Sequence, residues 1–209
     1  MSERPQVVVF GHSFPARLTR RCQRIGKSVM ELLNLSEDTC DITVRGHSGL
    51  TFSRVLLNPE RYLREICRNT VHVLVLDLGT NDLCNMDGEA DVVVDRAIRF
   101  LDLLLARPDG PRHVEFLSVI QRSKITRAGQ VSVTTFNRRS RQYNARLGRV
   151  ISLDYTRAHL YTQRKLNYPK YLIDGCHPNE EGMVKYCRGL REVIIRTRSK
   201  VLQTQVEIP

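Results

Sequence analysis

Residues 71–78 read VHVLVLDL, an almost unbroken apolar and β-branched run. A strand with one face in water alternates apolar and polar side chains. A short run that does not alternate must be covered on both faces, the setting of a strand inside a parallel sheet. Residues 6–10 (QVVVF) repeat the signal, and 41–44, 113–120 and 149–153 read as three further short strands. Helical spacing fills the intervals. Residues 15–33 carry Leu18, Cys22, Ile25 and Val29 at three- or four-residue steps, and 52–67 carry Val55, Leu56, Leu63 and Ile66 with a break at Pro59. Residues 91–105, 134–147 and 179–197 read as the remaining helices, with the stretch 160–174 irregular. Strands alternating with helices predict an α/β fold with a five-stranded parallel sheet and helices on both faces. The 209 residues suit one domain, placed at 1–198 and followed by a C-terminal tail at 199–209.

In such sheets, ligands bind beyond the carboxyl ends of the strands. The loops after the first three strands carry Ser13, Gly49 and Asn81 to that rim. Acyl transfer needs a nucleophile, a base, a group that orients the base and donors for the oxyanion. Ser13 follows the first strand and can be a nucleophile or the cap of the next helix. His177 lies three residues after Asp174 in a glycine-containing turn, a spacing that lets the carboxylate reach the imidazole and set its tautomer. Asn179 is placed to cap the last helix, which leaves Asp174 and His177 for the site. Gly49 and Asn81 are candidate oxyanion donors, and each also suits an ordinary turn. Leu83 and Met86 suit either an apolar acyl pocket or the core.

Composition limits the alternatives. No apolar run approaches the length of a membrane span, and the N-terminus lacks the layout of a signal peptide, so an intracellular setting is expected. None of the six cysteines forms a CxxC pair, which argues against a zinc site and for buried thiols rather than a disulfide framework. The net charge is +11, and 27 of the 33 basic residues are arginine. That balance fits either a solubilising surface or attraction to nucleic acid, with 138–146 and 188–200 as the stretches to inspect.

Four ordered blocks carry a resemblance to a known family. They are VVVFGHS ending at Ser13, RGHSGLT containing Gly49, DLGTND containing Asn81, and DGCH containing Asp174 and His177. Together the chain resembles the SGNH/GDSL serine hydrolases. The resemblance implies a three-layer, flavodoxin-like sandwich with no metal and no organic cofactor. It implies Ser13, His177 and Asp174 as catalytic triad, with Ser13 N–H, Gly49 and Asn81 in the oxyanion hole. Gly46 is the second choice for the glycine donor. The implied activity is hydrolysis of a small acyl ester. The wording of the blocks is also similar to SGNH-type domains encoded in some retrotransposons, where a basic esterase domain would fit.

One position departs from the family pattern. The residue before the nucleophile is usually Asp, and here it is His12. His12 either faces the site as a pH-sensitive neighbour or packs inward beside the strand, and packing is the expected role. A rival reading keeps the hydrolase scaffold and makes the chain chiefly a nucleic-acid or protein binding module.

Overall fold

The computed structural model describes residues 4–68, 70–125, 130–166 and 169–206. The strands are β1 (Gln6–Gly11), β2 (Asp41–Gly46), β3 (Val73–Asp77), β4 (His113–Leu117) and β5 (Ala158–Tyr161). All pair in parallel, in the order β2-β1-β3-β4-β5. The helices are α1 (Ser13–Ile25), α2 (Val29–Leu33), α3 (Phe52–Leu57), α4 (Pro59–Ile66), α5 (Thr80–Cys84), α6 (Ala90–Leu105), α7 (Val133–Asp154) and α8 (Glu180–Val206). This is the flavodoxin-like strand order, and the expected α/β sandwich is what the chain forms.

Successive strand residues face opposite layers and so build two cores. Val8, Phe10, Leu74, Leu76 and Phe116 pack into the layer of α3 to α7. Val7, Val9, Val73, Val75 and Leu117 pack against α1, α2 and α8. Every residue of β3 is buried, which is why its sequence does not alternate. The strand order reverses between β1 and β3, which pair from Val7↔Val73 to Gly11↔Asp77. The chain leaves these two strands toward opposite sides, and a crevice opens between the two exits. Ser13 lies just past one exit and Asn81 just past the other.

Three expectations need correction. The single helix over 15–33 is two, because α1 ends at Gly26 in the left-handed region (φ 66°) and α2 starts from a capping box of Ser28 and Glu31. The fifth strand is not 149–153. Those residues continue α7, whose buried positions Phe136, Tyr143, Leu147 and Ile151 hold one helical stripe through the β-branched pair. The strand is Ala158–Tyr161 instead, within or just before the stretch read as irregular. It is a four-residue edge strand, too short and too exposed to show a pattern. The break at Pro59 is real, and that proline opens α4. The last helix runs on to Val206. Among the described residues no helix is long and apolar enough to cross a membrane, and the six cysteines form no disulfide.

Candidate active site

Ser13 is the first residue of α1, but it does not cap that helix. His12 does: its Nδ1 accepts the Phe14 N–H at 3.4 Å. The Ser13 hydroxyl is thereby left for chemistry, and it rests 3.3 Å from the same Nδ1. His12 itself is buried to 1% exposure. An accepting Nδ1 puts the ring proton on Nε2, which lies 3.2 Å from Asp77 Oδ1, close but out of line for a hydrogen bond. The other oxygen of Asp77 accepts from the Tyr186 hydroxyl at 2.8 Å. Burial and the neighbouring Asp77 push the Tyr186 hydroxyl well above its ordinary pKa, so it stays a neutral donor. A buried row of polar groups, Tyr186, Asp77 and His12, thus leads to Ser13. His12 packs inward as expected, yet it also touches Ser13.

The turn before α8 holds the second half of the site. Asp174 Oδ1 accepts the backbone N–H groups of Cys176 (2.9 Å) and His177 (2.7 Å), and its Oδ2 meets His177 Nδ1 at 2.6 Å. Gly175 takes a φ of 73° inside this turn, which an L side chain would resist. Asn179 caps α8 as expected, accepting the Gly182 N–H at 2.8 Å. Burial raises the Asp174 pKa, but the His177 and backbone hydrogen bonds outweigh it and hold the carboxyl at about 2. Burial lowers the His177 pKa. The bond to Asp174 opposes that fall, and the charges of Arg17 and Arg122 add to it. Nδ1 is committed to Asp174, so Nε2 is the free basic nitrogen.

Ser13, Gly49, Asn81 and His177 line one cleft of about 260 Å³. Ser13 at the start of α1, Asn81 in α5, and Gly49 and His177 in loops are thus brought together. Ser13 and His177 face the cleft without a hydrogen bond between them, as is common before substrate binds. Gly49 has a φ of 77° with open space where a Cβ would stand, so its backbone borders the cleft without obstruction. Asn81 donates one amide hydrogen to Leu50 O at 3.0 Å and keeps the other. Gly46 does not line this cleft. It ends β2 beside Gly11, and a Cβ there would fall 2.0 Å from Ala16 N, so its glycine serves the close packing of α1 on β2. Leu83 is core, and Met86 is exposed away from the cleft.

Sequence reading missed several residues around the site. Arg17 lies one helical turn after Ser13 and therefore on its face, a spacing that points to it. Arg122 enters from the loop after β4. Asp82 was quoted only as part of a motif, yet its fully buried carboxylate accepts the Phe52 N–H at 2.9 Å and the Ser53 N–H at 3.3 Å. It ties the loop after β3 to the one after β2. The basic stretch 138–146 is partly internal: Arg139 is 3% exposed and pairs with Glu89, and Arg146 pairs with Asp91.

Asp174, Cys176 and His177 place possible metal-ligand atoms within 4.8 Å of one another. Both oxygens of Asp174 already serve its own turn and the imidazole, so metal binding there and a working acid–base pair exclude each other.

The sequence profile of the GDSL-like lipase/acylhydrolase family matches residues 9–185. No curated protein sequence matches the chain. Est24, a carbohydrate acetylesterase from Sinorhizobium meliloti, superposes with a TM-score of 0.70 at 15% identity, over 92% of this chain and 99% of its own. The native aryl esterase of M. smegmatis gives 0.70 at 14%, over 92% and 99%. The acetylxylan esterase Axe2 from Geobacillus stearothermophilus gives 0.63 at 13%, over 93% and 95%. At these identities the superpositions speak for the fold, and the family profile speaks for the chemistry. The chain belongs to the GDSL-like lipase/acylhydrolase family and is a carboxylic ester hydrolase of the SGNH type.

Proposed function

We propose that the chain hydrolyses small acyl esters through a Ser13–His177–Asp174 triad and an acyl-enzyme. The observation that carries this is the 2.6 Å Asp174–His177 pair opening into the cleft that also holds Ser13, Gly49 and Asn81. In the first half-reaction, the Ser13 Oγ–H proton passes to His177 Nε2 as Oγ bonds to the carbonyl carbon. The oxyanion is held by the Ser13 and Gly49 N–H groups and the Asn81 amide. The carbon–alcohol bond then breaks, and His177 returns its proton to the leaving oxygen. Water repeats the sequence and releases the acid. Asp174 holds the productive tautomer throughout. The small cleft, and the acetylesterases among the structural relatives, support a short acyl group.

The test is fluorophosphonate labelling with mass mapping, alongside hydrolysis of p-nitrophenyl acetate. Label on Ser13, and loss of both label and turnover in Ser13→Ala, is expected. Equal turnover by the two proteins would overturn the proposal. Asn81→Ala is expected to lower kcat about 10²- to 10³-fold, because one oxyanion donor is lost. A KM change with kcat intact would instead assign Asn81 to ground-state binding.

The base works only when neutral, and its pKa is held below 6.5. The acid limb of the kcat/KM profile is therefore expected below pH 6.5. Removing the Arg17 charge takes away one of the lowering influences, so Arg17→Gln is expected to move that limb upward. A limb that stays put in a pH–rate series would show that the charge does not reach the imidazole. Nucleic acid as a second partner draws its support from the net charge alone. Salt-dependent oligonucleotide binding that survives Ser13→Ala is the result that would add that partner.

A further inference from the structure

The cleft is lined by three arginines and, among the described residues, by no carboxylate. Arg17 and Arg20 come from α1, and Arg122 comes from the loop after β4. None of the three is paired with an acidic side chain among the described residues. Arg20 donates to the carbonyl of Ala16. Arg122 donates to Cys84 Sγ at 2.8 Å and lies over the Phe136 ring at 4.9 Å, while its backbone is clamped by Asn137. Among the described residues the Arg17 side chain makes no hydrogen bond, and its buried Nε lacks a partner. The contrast along α1 is sharp: Arg21 and Arg24, one turn further on, both pair with Glu180. The helix neutralises its cations away from the cleft and leaves those beside Ser13 unmatched. Guanidinium groups gathered without counter-charge repel one another and gain from an incoming oxyanion.

The position of these charges identifies which part of the substrate they meet. Arg17 and Arg122 line the same cleft as His177, and their charges lower its pKa. His177 gives its proton to the leaving oxygen, so the alcohol portion of the ester lies beside it. Building on the esterase reading, we infer that the substrate is a short acyl ester of an alcohol that carries a phosphate or carboxylate, bound by Arg17 and Arg122 with Arg20 at the rim.

The experiment measures kcat/KM for three aryl acetates: methyl 4-acetoxybenzoate (neutral), 4-acetoxybenzoate and 4-acetoxyphenyl phosphate. Wild type is compared with Arg17→Lys, Arg17→Gln and Arg17→Gln/Arg122→Gln, each checked for folding by circular dichroism. Dividing the anionic-to-neutral ratio of wild type by that of a variant cancels the intrinsic reactivity of the esters. That quotient is expected to reach about tenfold for Arg17→Gln, more for the double variant, and far less for Arg17→Lys, on the scale of a charge-assisted hydrogen bond. The wild-type ratio is expected to fall as salt rises. A larger quotient for the phosphate ester than for the benzoate assigns the site to phosphate, and the reverse assigns it to carboxylate. A ratio unchanged in the double variant, with the neutral ester still turned over, overturns the inference and leaves the esterase standing. Turnover of none of the three by wild type overturns both.

Discussion

Asp174→Asn is expected to lower kcat for p-nitrophenyl acetate about 10³- to 10⁴-fold while the protein stays folded. The turn itself dictates this. Oδ1 of residue 174 accepts two backbone N–H groups, which an asparagine carbonyl would still accept. The amide nitrogen would then point at His177 Nδ1, where Oδ2 stands now. Facing a donor, Nδ1 must accept, and the ring proton moves to Nε2. The base is then protonated at the one nitrogen that has to take the Ser13 proton. Steady-state kinetics beside a thermal melt check the result. A loss below tenfold in folded protein would show that Asp174 does not set the tautomer.

His12→Asp, which restores the residue common in the family, is expected to be among the most damaging single changes in the chain. His12 and Asp77 are both buried, with 3.2 Å between Nε2 and Oδ1. An aspartate at 12 would set two carboxylates in one dry site and leave an uncompensated charge, at a cost of about 3–5 kcal/mol. In a chain of this size that corresponds to a fall in Tm of roughly 6–20 °C. Adding Asp77→Asn should recover most of the loss. Its amide can donate to the new carboxylate and its carbonyl can accept from Tyr186. Melting the four proteins of the cycle gives the coupling directly. Additive effects would mean that residues 12 and 77 are independent, and that the histidine is a chance departure rather than half of a matched pair.

The sheet was legible where strands are buried on both faces, because burial forces an unalternating sequence, as in β1 and β3. It was not legible at β5, a half-exposed edge strand whose four residues need no special composition. The β-branched pair at Val150 and Ile151 suggested a strand, but packing of Ile151 in the stripe with Leu147 and Tyr143 overrides local preference. Asp174 and His177 come together because spacing within one turn is a local property, whereas Ser13 reaches the same cleft only through the fold. The support behind them is not local. His12 meets Asp77, and Asp77 meets Tyr186, across gaps of 65 and 109 residues that the β1–β3 register and the packing of α8 on the sheet close. Arg122 likewise joins Arg17 only through the fold.

The Asn81 amide bonded to Leu50 O, and the Asp82 carboxylate bonded to the N–H groups of Phe52 and Ser53, fasten the loop after β3 to the loop after β2 at two adjacent points. The Asp82 carboxyl, its pKa raised chiefly by burial, lies behind this seam. Gly49 and Asn81 are therefore not two parts that can be exchanged separately. A graft of either loop from a distant relative would arrive without its fastener and leave a buried carboxylate or a pair of amides unmet. Recombination between family members is viable when its breakpoints fall outside the span from β2 to α5, so that the two loops are inherited as a single block.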